Sequence, residues 1–183
     1  MHRPRWRPLL GALCALWLWG ALAPPARADV EELELKAELI GRFPSFVEWP
    51  EGEIPDDPKA PLVLGILGSD PFEGRLEETV GDRPGRPIEV RTIEDAEGLS
   101  DVHVVYVGGS ERERLQEIVE VAKREHVLTV SDTAGFAKRG IHVNMYRSGR
   151  RVGFEVNLRS AEDSGLEVSS KLLRLARLVE PDR

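Results

Sequence analysis

The chain has 183 residues with 32 acidic and 25 basic side chains, which gives a formal net charge of −7 at pH 7. This length suits one ordinary domain with its own core, and the acid excess argues against nucleic acid as a partner. The sequence contains a single cysteine, Cys14, so an intramolecular disulfide and a multi-thiolate metal site are excluded.

The first 28 residues have the organisation of a bacterial export signal. Three arginines precede an uncharged apolar run from Pro8 to Ala23, and Ala26 and Ala28 then form a small-x-small cleavage pattern. We therefore predict a signal peptide of residues 1–28, cleaved after Ala28, and a periplasmic domain of residues 29–183. The alternatives are an uncleaved membrane anchor, for which the run is short, and a lipoprotein acylated at Cys14.

The predicted mature chain is strongly acidic, but its charge is unevenly spread. It keeps 21 basic and 32 acidic side chains, a net charge of −11. Residues 29–143 carry −13, whereas residues 144–183 carry +2. A basic end on an acidic body could steer an anionic partner, and the other interpretation is an ordinary solvated surface.

The first half of the domain alternates helical and strand patterns. Apolar residues at three- and four-residue steps predict a helix over residues 30–47, and the proline-rich residues 51–61 predict a loop. The continuous apolar run Pro61–Gly68 is typical of a strand buried on both faces. Asp70 is the expected cap of a helix that runs to about Val80.

The second half predicts three more strands, a hairpin and two helices. Ser110 and Glu113 form an expected capping box for a helix ending near Lys123. The remaining predicted elements are strands at Ile88–Ile93, Val102–Val107 and Val127–Val130, a hairpin of residues 141–146 and 151–158, and a last helix Ser169–Val179. This order predicts a single compact α/β domain, with a largely parallel sheet flanked by helices and an antiparallel hairpin near the C-terminus.

No residue pattern predicts catalysis, a metal site or a bound cofactor. The turn Gly108–Ser110 lies where a sheet can hold an anion, but it lacks the full dinucleotide or phosphate-loop motif. His103, His126 and His142 lack metal-ligand spacing, so packed strand residues are the simpler interpretation. We therefore predict that the protein is not an enzyme.

Two segments are candidates for protein contact. Phe43–Pro50 concentrates aromatic residues where the first helix ends, which indicates either core packing or a partner site. The predicted last helix is amphipathic: its leucines form the expected buried face, and Lys171, Arg174 and Arg177 recur every three residues on the other. That cationic face is either solvated or a docking surface for an acidic partner or membrane headgroups.

These same segments resemble YfiR-like proteins over nearly the whole mature chain. The matching segments, in chain order, are 36–50, 61–62, 68–72, 85–88, 128–132, 135–136, 151–158 and 169–176. The resemblance implies a periplasmic, often dimeric, non-catalytic α/β protein that represses an inner-membrane diguanylate cyclase through its sensor domain, and so limits cyclic-di-GMP and biofilm formation. The cysteine pairs used for redox sensing within the family are missing from this mature chain.

The leading hypothesis is therefore a periplasmic regulator that binds the extracytoplasmic domain of an inner-membrane signalling protein, with a homodimer as a further possibility. The expected contact residues are Phe46, Trp49, Glu155, Asn157, Lys171, Arg174 and Arg177. The alternatives are a small-ligand-binding module with a crevice at the strand ends, and a hydrolase with a site assembled from scattered residues.

Overall fold

A computed structural model describes residues 27–81, 85–149 and 151–180. Its α-helices are α1 (Arg27–Arg42), α2 (Arg75–Gly81), α3 (Leu115–Arg124), α4 (Leu158–Asp163) and α5 (Ser170–Leu173). Its strands are β1 (Val47–Glu48), β2 (Leu62–Leu67), β3 (Ile88–Ile93), β4 (Val104–Val107), β5 (Leu128–Ser131), β6 (Val143–Ser148), β7 (Arg151–Val156), β8 (Glu167–Val168) and β9 (Arg177–Leu178). The predicted signal peptide lies outside these ranges except for Arg27 and Ala28, which start α1.

Seven strands form one sheet in the order β3-β2-β4-β5-β6-β7-β9, and β1 and β8 form a separate antiparallel pair. The five strands from β3 to β6 run parallel to one another. β7 turns back antiparallel to β6 and pairs parallel with β9. The predicted α/β class, the largely parallel sheet and the hairpin are therefore confirmed.

The sheet separates two cores, because the side chains of a strand alternate between its two faces. On one face Leu64, Tyr106 and Val130 pack against α1 and α2. On the other face Val105 and Val107 pack against α3. The central strands are buried on both sides, which explains their continuous apolar sequences.

The first predicted helix is confirmed, with a change of helix type at its end. Ala37, Ile40 and Phe43 lie on its buried face, as their three-residue spacing requires. Phe43–Phe46 continues as a 3-10 helix, and Val47 then begins β1 in extended conformation. The proline-rich segment 51–61 is irregular, as predicted.

The predicted helix start at Asp70 is wrong. Asp70 accepts hydrogen bonds from the Phe72 and Gly74 backbone amides at 2.8 and 3.1 Å, but it closes a turn and α2 begins only at Arg75. Glu73 and Gly74 stand between them at φ 52° and 82°, which right-handed helix excludes.

The capping box predicted at Ser110 and Glu113 is also absent. The Ser110 hydroxyl accepts a hydrogen bond from the Ser69 amide at 2.9 Å, between the ends of β2 and β4. It does not accept one from the Glu113 amide, as the capping box requires. A 3-10 turn, Gly109–Arg112, therefore precedes α3.

The predicted last helix, Ser169–Val179, is wrong in most of its length. The helical part is Ser170–Leu173, and Arg177–Leu178 forms a sheet strand. The free edge of β7 offers backbone hydrogen bonds that compete with the helix, and the Val179 amide takes one of them at 3.0 Å from Val156. The hairpin consequently lies inside the sheet, and β9 forms the edge.

Candidate partner-binding surface

The two segments predicted for protein contact meet in the fold. The Ser169 amide donates to the Phe46 carbonyl at 2.8 Å, and Val47 pairs with Val168. Phe46 and Trp49 are half-buried against the core, so they combine the packing role with a partly exposed surface. The Trp49 indole nitrogen is shielded from solvent and has no hydrogen-bond partner within the described ranges.

A short α5 presents the start of the basic segment. The Ser169 hydroxyl accepts from the Leu172 amide at 3.4 Å and caps the helix. Leu172 is buried and anchors it, whereas Lys171 and Arg174 are exposed.

The chain then exposes two leucines that the amphipathic-helix prediction placed in the core. Leu175 is 75% exposed and Leu178 is 56% exposed. We call the exposed side chains of this segment the C-terminal surface: Lys171, Arg174, Leu175, Arg177 and Leu178. Along the chain, exposed apolar and cationic side chains alternate in this segment, a combination suited to a partner that is both apolar and acidic.

Arg177 is on β9 and belongs to this surface and to an internal contact. Its guanidinium binds the carboxylate of Glu155, which is 8% exposed, and lies 4.7 Å from the ring centre of Tyr146. Glu155 therefore anchors the edge strand from beneath, because a buried carboxylate needs a charged or hydrogen-bonding partner.

Asn157 has no accessible side chain and serves the fold. It is 0% exposed, and its side-chain oxygen accepts from the Ser160 amide at 3.0 Å as the cap of α4. Its amide nitrogen donates to the Ala137 carbonyl at 2.7 Å. Of the seven predicted contact residues, the structure thus brings Phe46, Trp49, Lys171, Arg174 and Arg177 to the surface and buries Glu155 and Asn157.

Beneath α1 lies a polar cluster that sequence reasoning missed. Lys36, 8% exposed, donates to Asp132 and binds Glu32, both at 2.8 Å. Tyr106 donates its hydroxyl hydrogen to Asp132 at 2.7 Å. Two sequence features could have indicated this cluster: a tyrosine in an otherwise aliphatic strand and an aspartate directly after a buried strand. The contact between Lys36 and Asp132 could not be predicted, because the two residues are 96 positions apart in the chain.

The electrostatics of this cluster favour a structural role. Burial alone would lower the pKa of Lys36, but its bonds to Asp132 and Glu32 outweigh burial and raise that pKa. Burial and the Asp132 charge raise the pKa of Tyr106 far above its ordinary value. Both groups therefore stay protonated near neutral pH, so neither serves as a general base, and the cluster fixes α1 to the strand ends.

The histidines act as separate packing groups. His103 accepts the Val63 amide at 2.9 Å, and burial followed by the nearby Arg86 charge lowers its pKa. His126 contacts the Ser164 carbonyl at 2.8 Å. Among the residues that the structure describes, no group of three or more histidine, cysteine or acidic side chains is arranged to hold a metal ion.

The glycine turn after β4 is filled by its neighbour. A Cβ atom on Gly108 would lie 2.4 Å from the Ser69 carbonyl oxygen, so only glycine permits this close approach. The Ser110 hydroxyl occupies the Ser69 amide, which an anion would otherwise use. The structure thus gives this turn a packing function.

Residues 33–177 match the YfiR/HmsC-like family, and the chain belongs to that family. Proteins of this family are known as periplasmic regulators and not as enzymes. Within residues 27–81, 85–149 and 151–180, the helices are all too short or too polar to cross a membrane.

Solved structures share the fold at low sequence identity. An ABC domain from Streptococcus pneumonia, solved in complex with L-Trp, has a TM-score of 0.54 and 10% identity, over 80% of this chain and 60% of that one. A conserved domain protein from Vibrio cholerae has a TM-score of 0.53 and 12% identity, over 80% and 59%. The chain thus spans about three fifths of these proteins, and the likeness concerns the fold alone.

Proposed function

We propose that this protein is a non-catalytic periplasmic regulator that binds the extracytoplasmic sensor domain of an inner-membrane diguanylate cyclase and represses it. Export depends on the predicted signal peptide, residues 1–28. Family membership supports the regulatory role. The observation that carries the contact is the C-terminal surface, where two leucines stand exposed among three cationic side chains.

The chemistry of this surface defines the partner that it fits. Burial of the exposed leucines in a partner interface would stabilise the complex by about 25 cal/mol per Å² of apolar area removed from water. Lys171, Arg174 and Arg177 add attraction to an acidic patch and speed the encounter. Phe46 adjoins this segment, because its carbonyl accepts a hydrogen bond from the Ser169 amide, and Trp49 follows three residues later along the chain.

The first test is a crosslinking pull-down from the native periplasm with the mature protein, followed by mass spectrometry. The expected product is an inner-membrane protein with a periplasmic sensor domain and a cytoplasmic cyclase domain. Recovery of the protein alone, from a folded sample, would contradict the proposal. The small-ligand alternative would then be tested by thermal shift with an anion and amino-acid panel, because ligands that bind only the folded state stabilise it.

The surface itself is tested with the double variant Lys171→Glu, Arg174→Glu. Two reversed charges at the edge of the contact should weaken binding to the captured sensor domain about tenfold or more. The matched control is Lys123→Glu, Arg124→Glu, which makes the same charge change on exposed positions of α3. Equal loss in both variants would mean that total charge, and not this surface, governs binding.

The sign of regulation needs a cellular measurement. Deletion of the gene should raise cyclic-di-GMP and biofilm, and the wild-type chain should restore both. An unchanged or lowered cyclic-di-GMP level after deletion would refute repression.

A further inference from the structure

A pocket rich in cations lies between α3, α4 and the chain that joins β5 to β6. Its cavity of about 360 Å³ is lined by three cations, Lys138, Arg139 and Arg159, and by one acid, Asp163. The rest of the lining is neutral: Gln116, Val119, Gly140 and Ser160. We call this set of residues the basic pocket. It concentrates positive charge on a chain whose formal net charge is −7.

The backbone that carries these cations is held firmly in place. The 3-10 turn Ala137–Arg139 ends at Gly140, where φ is 110° and an added Cβ would lie 2.6 Å from a Val119 methyl on α3. Asn157 donates to the first carbonyl of this turn at 2.7 Å, and the Ser160 hydroxyl donates to the Gly140 carbonyl at 2.6 Å. Because the backbone is already fixed, a ligand needs to order only the side chains that it touches.

The cations of the basic pocket lack a carboxylate that would neutralise them. In the ranges that the structure describes, the Lys138 ammonium and the Arg159 guanidinium make no ion pair or hydrogen bond, and both side chains are exposed. Arg139 donates to a backbone carbonyl just before α3 at 3.0 Å, which leaves its other N–H groups available. The lining acid does not offset these charges, since Asp163 lies 3.7 Å from the ammonium of Lys123.

A further guanidinium adds to the positive charge beside the pocket. Arg112 and Arg139 both lie over the ring of the buried Phe136, at 5.1 and 6.0 Å from its centre. The face of the ring attracts each cation and so holds two like charges near one another. These cations repel each other, and a bound anion would offset that repulsion.

We propose that the basic pocket binds the phosphate group of a phosphate monoester. Such a group carries a charge of about −1.5 to −2 at pH 7 and three strong acceptor oxygens. It therefore matches donors from Lys138, Arg139 and Arg159 better than the single charge of a carboxylate does. The cavity volume lies within the range of small-molecule sites, about 300–1,000 Å³, and the mostly polar lining suits a hydrophilic ligand.

The inference does not rest on the proposed function. The basic pocket shares no residue with the C-terminal surface, and a phosphate monoester binds there with or without a sensor domain. Free esters and the headgroup of phosphatidic acid carry the same phosphate chemistry, so the experiment has one arm for each source.

The first arm is isothermal titration of the purified mature protein with glycerol phosphate, at an ionic strength held constant with potassium chloride. The wild type should give a saturable isotherm. The pocket variant Lys138→Gln, Arg159→Gln should bind about tenfold more weakly or worse, because two of the three lining cations are lost. Both replaced side chains are exposed, so urea unfolding should show that the variant remains folded.

The matched control is Lys59→Gln, Arg91→Gln. It also replaces one exposed lysine and one exposed arginine, but these lie in the proline-rich segment and on β3. The control should bind glycerol phosphate as tightly as the wild type, because nonspecific charge attraction is the only contribution that it removes.

The second arm is co-sedimentation with phosphatidic acid vesicles, with phosphatidylcholine vesicles as the reference. Saturable binding of glycerol phosphate assigns the free ester, and binding that occurs only on phosphatidic acid and is lost in the pocket variant assigns the headgroup. The proposal is overturned if the wild type binds neither, if the folded pocket variant binds like the wild type, or if the control loses binding as fully as the pocket variant. These measurements contain no sensor domain and leave the C-terminal surface unaltered, so the proposed function is tested separately.

Discussion

Because of His142, the folding stability of this protein should fall in mildly acidic solution. Its ring is fully buried: Nδ1 accepts the Thr129 amide at 3.1 Å, and Nε2 lies 3.0 Å from the Ser164 hydroxyl. A nitrogen that accepts a backbone N–H cannot carry a proton of its own, so this environment requires the neutral ring. Burial accordingly lowers the pKa of His142 to about 4.

The sign and size of the effect follow from linkage. The unfolded ring has a pKa of about 6.5, so between pH 6.5 and about 4 the unfolded chain binds a proton that the folded chain does not. Stability is thus fully present above pH 6.5 and falls as the pH falls. Each pH unit costs about 1.4 kcal/mol, which gives a loss of about 2 kcal/mol at pH 5.

The assay compares urea unfolding of the wild type and His142→Asn at pH 7 and pH 5. The variant is less stable at pH 7, because it loses the Ser164 contact and leaves a small cavity. It has no imidazole to protonate, so the difference between the two proteins should shrink by about 2 kcal/mol at pH 5. An unchanged difference would refute the reasoning, as would an NMR titration of the His142 ring near pH 6.5.

Substitutions at three further positions test individual contacts. Asn157→Ala should cost about 2–3 kcal/mol in urea unfolding, since it removes the α4 cap to Ser160 and a buried hydrogen bond; a loss under 0.5 kcal/mol would contradict that role. Lys36→Met should destabilise the protein by about 2 kcal/mol by leaving Asp132 without its cation, and Lys36→Arg should retain part of that stability; equal losses would show that charge is irrelevant there. Gly140→Ala should lower the unfolding midpoint by several degrees, because φ is 110° and an added Cβ would lie 2.6 Å from a valine methyl of α3, and an unchanged midpoint would contradict this.

Local sequence predicted the central elements well because their patterns reflect burial directly. Leu62–Leu67 is continuously apolar since both faces of β2 are covered, and Ser148 and Gly149 mark the hairpin turn since the chain must reverse there. The helix start at Asp70 was mispredicted although its carboxylate bonds the expected local amides, because Glu73 and Gly74 adopt positive φ. The start at Ser110 was mispredicted because its hydroxyl bonds the Ser69 amide, 41 residues away. Neither the positive φ of two residues nor the position of a distant amide can be read from local sequence.

The sequence likewise predicted only part of the candidate surface. Spacing predicted Lys171, Arg174 and Arg177 on one exposed helix face; all three are exposed, but they lie on a short helix, its end and an edge strand. The contact of this segment with Phe46 came from the tertiary structure. Spacing could not place Glu155 and Asn157 in the interior, because their burial depends on Arg177 and on the Ala137 carbonyl, which are 22 and 20 residues away.

The sequence by itself determined the α/β class, the central strands, the hairpin and the family, because each follows from apolar periodicity and short motifs. Only the tertiary structure determined which secondary structure the last segment adopts. Its three-residue periodicity fits a helix, but Arg177 and Leu178 pair with the open edge of β7 instead. The ion pair between Arg177 and the buried Glu155 carboxylate stabilises that arrangement. Two leucines that a helix would have buried thereby become exposed, Leu175 in the turn after α5 and Leu178 in the edge strand β9.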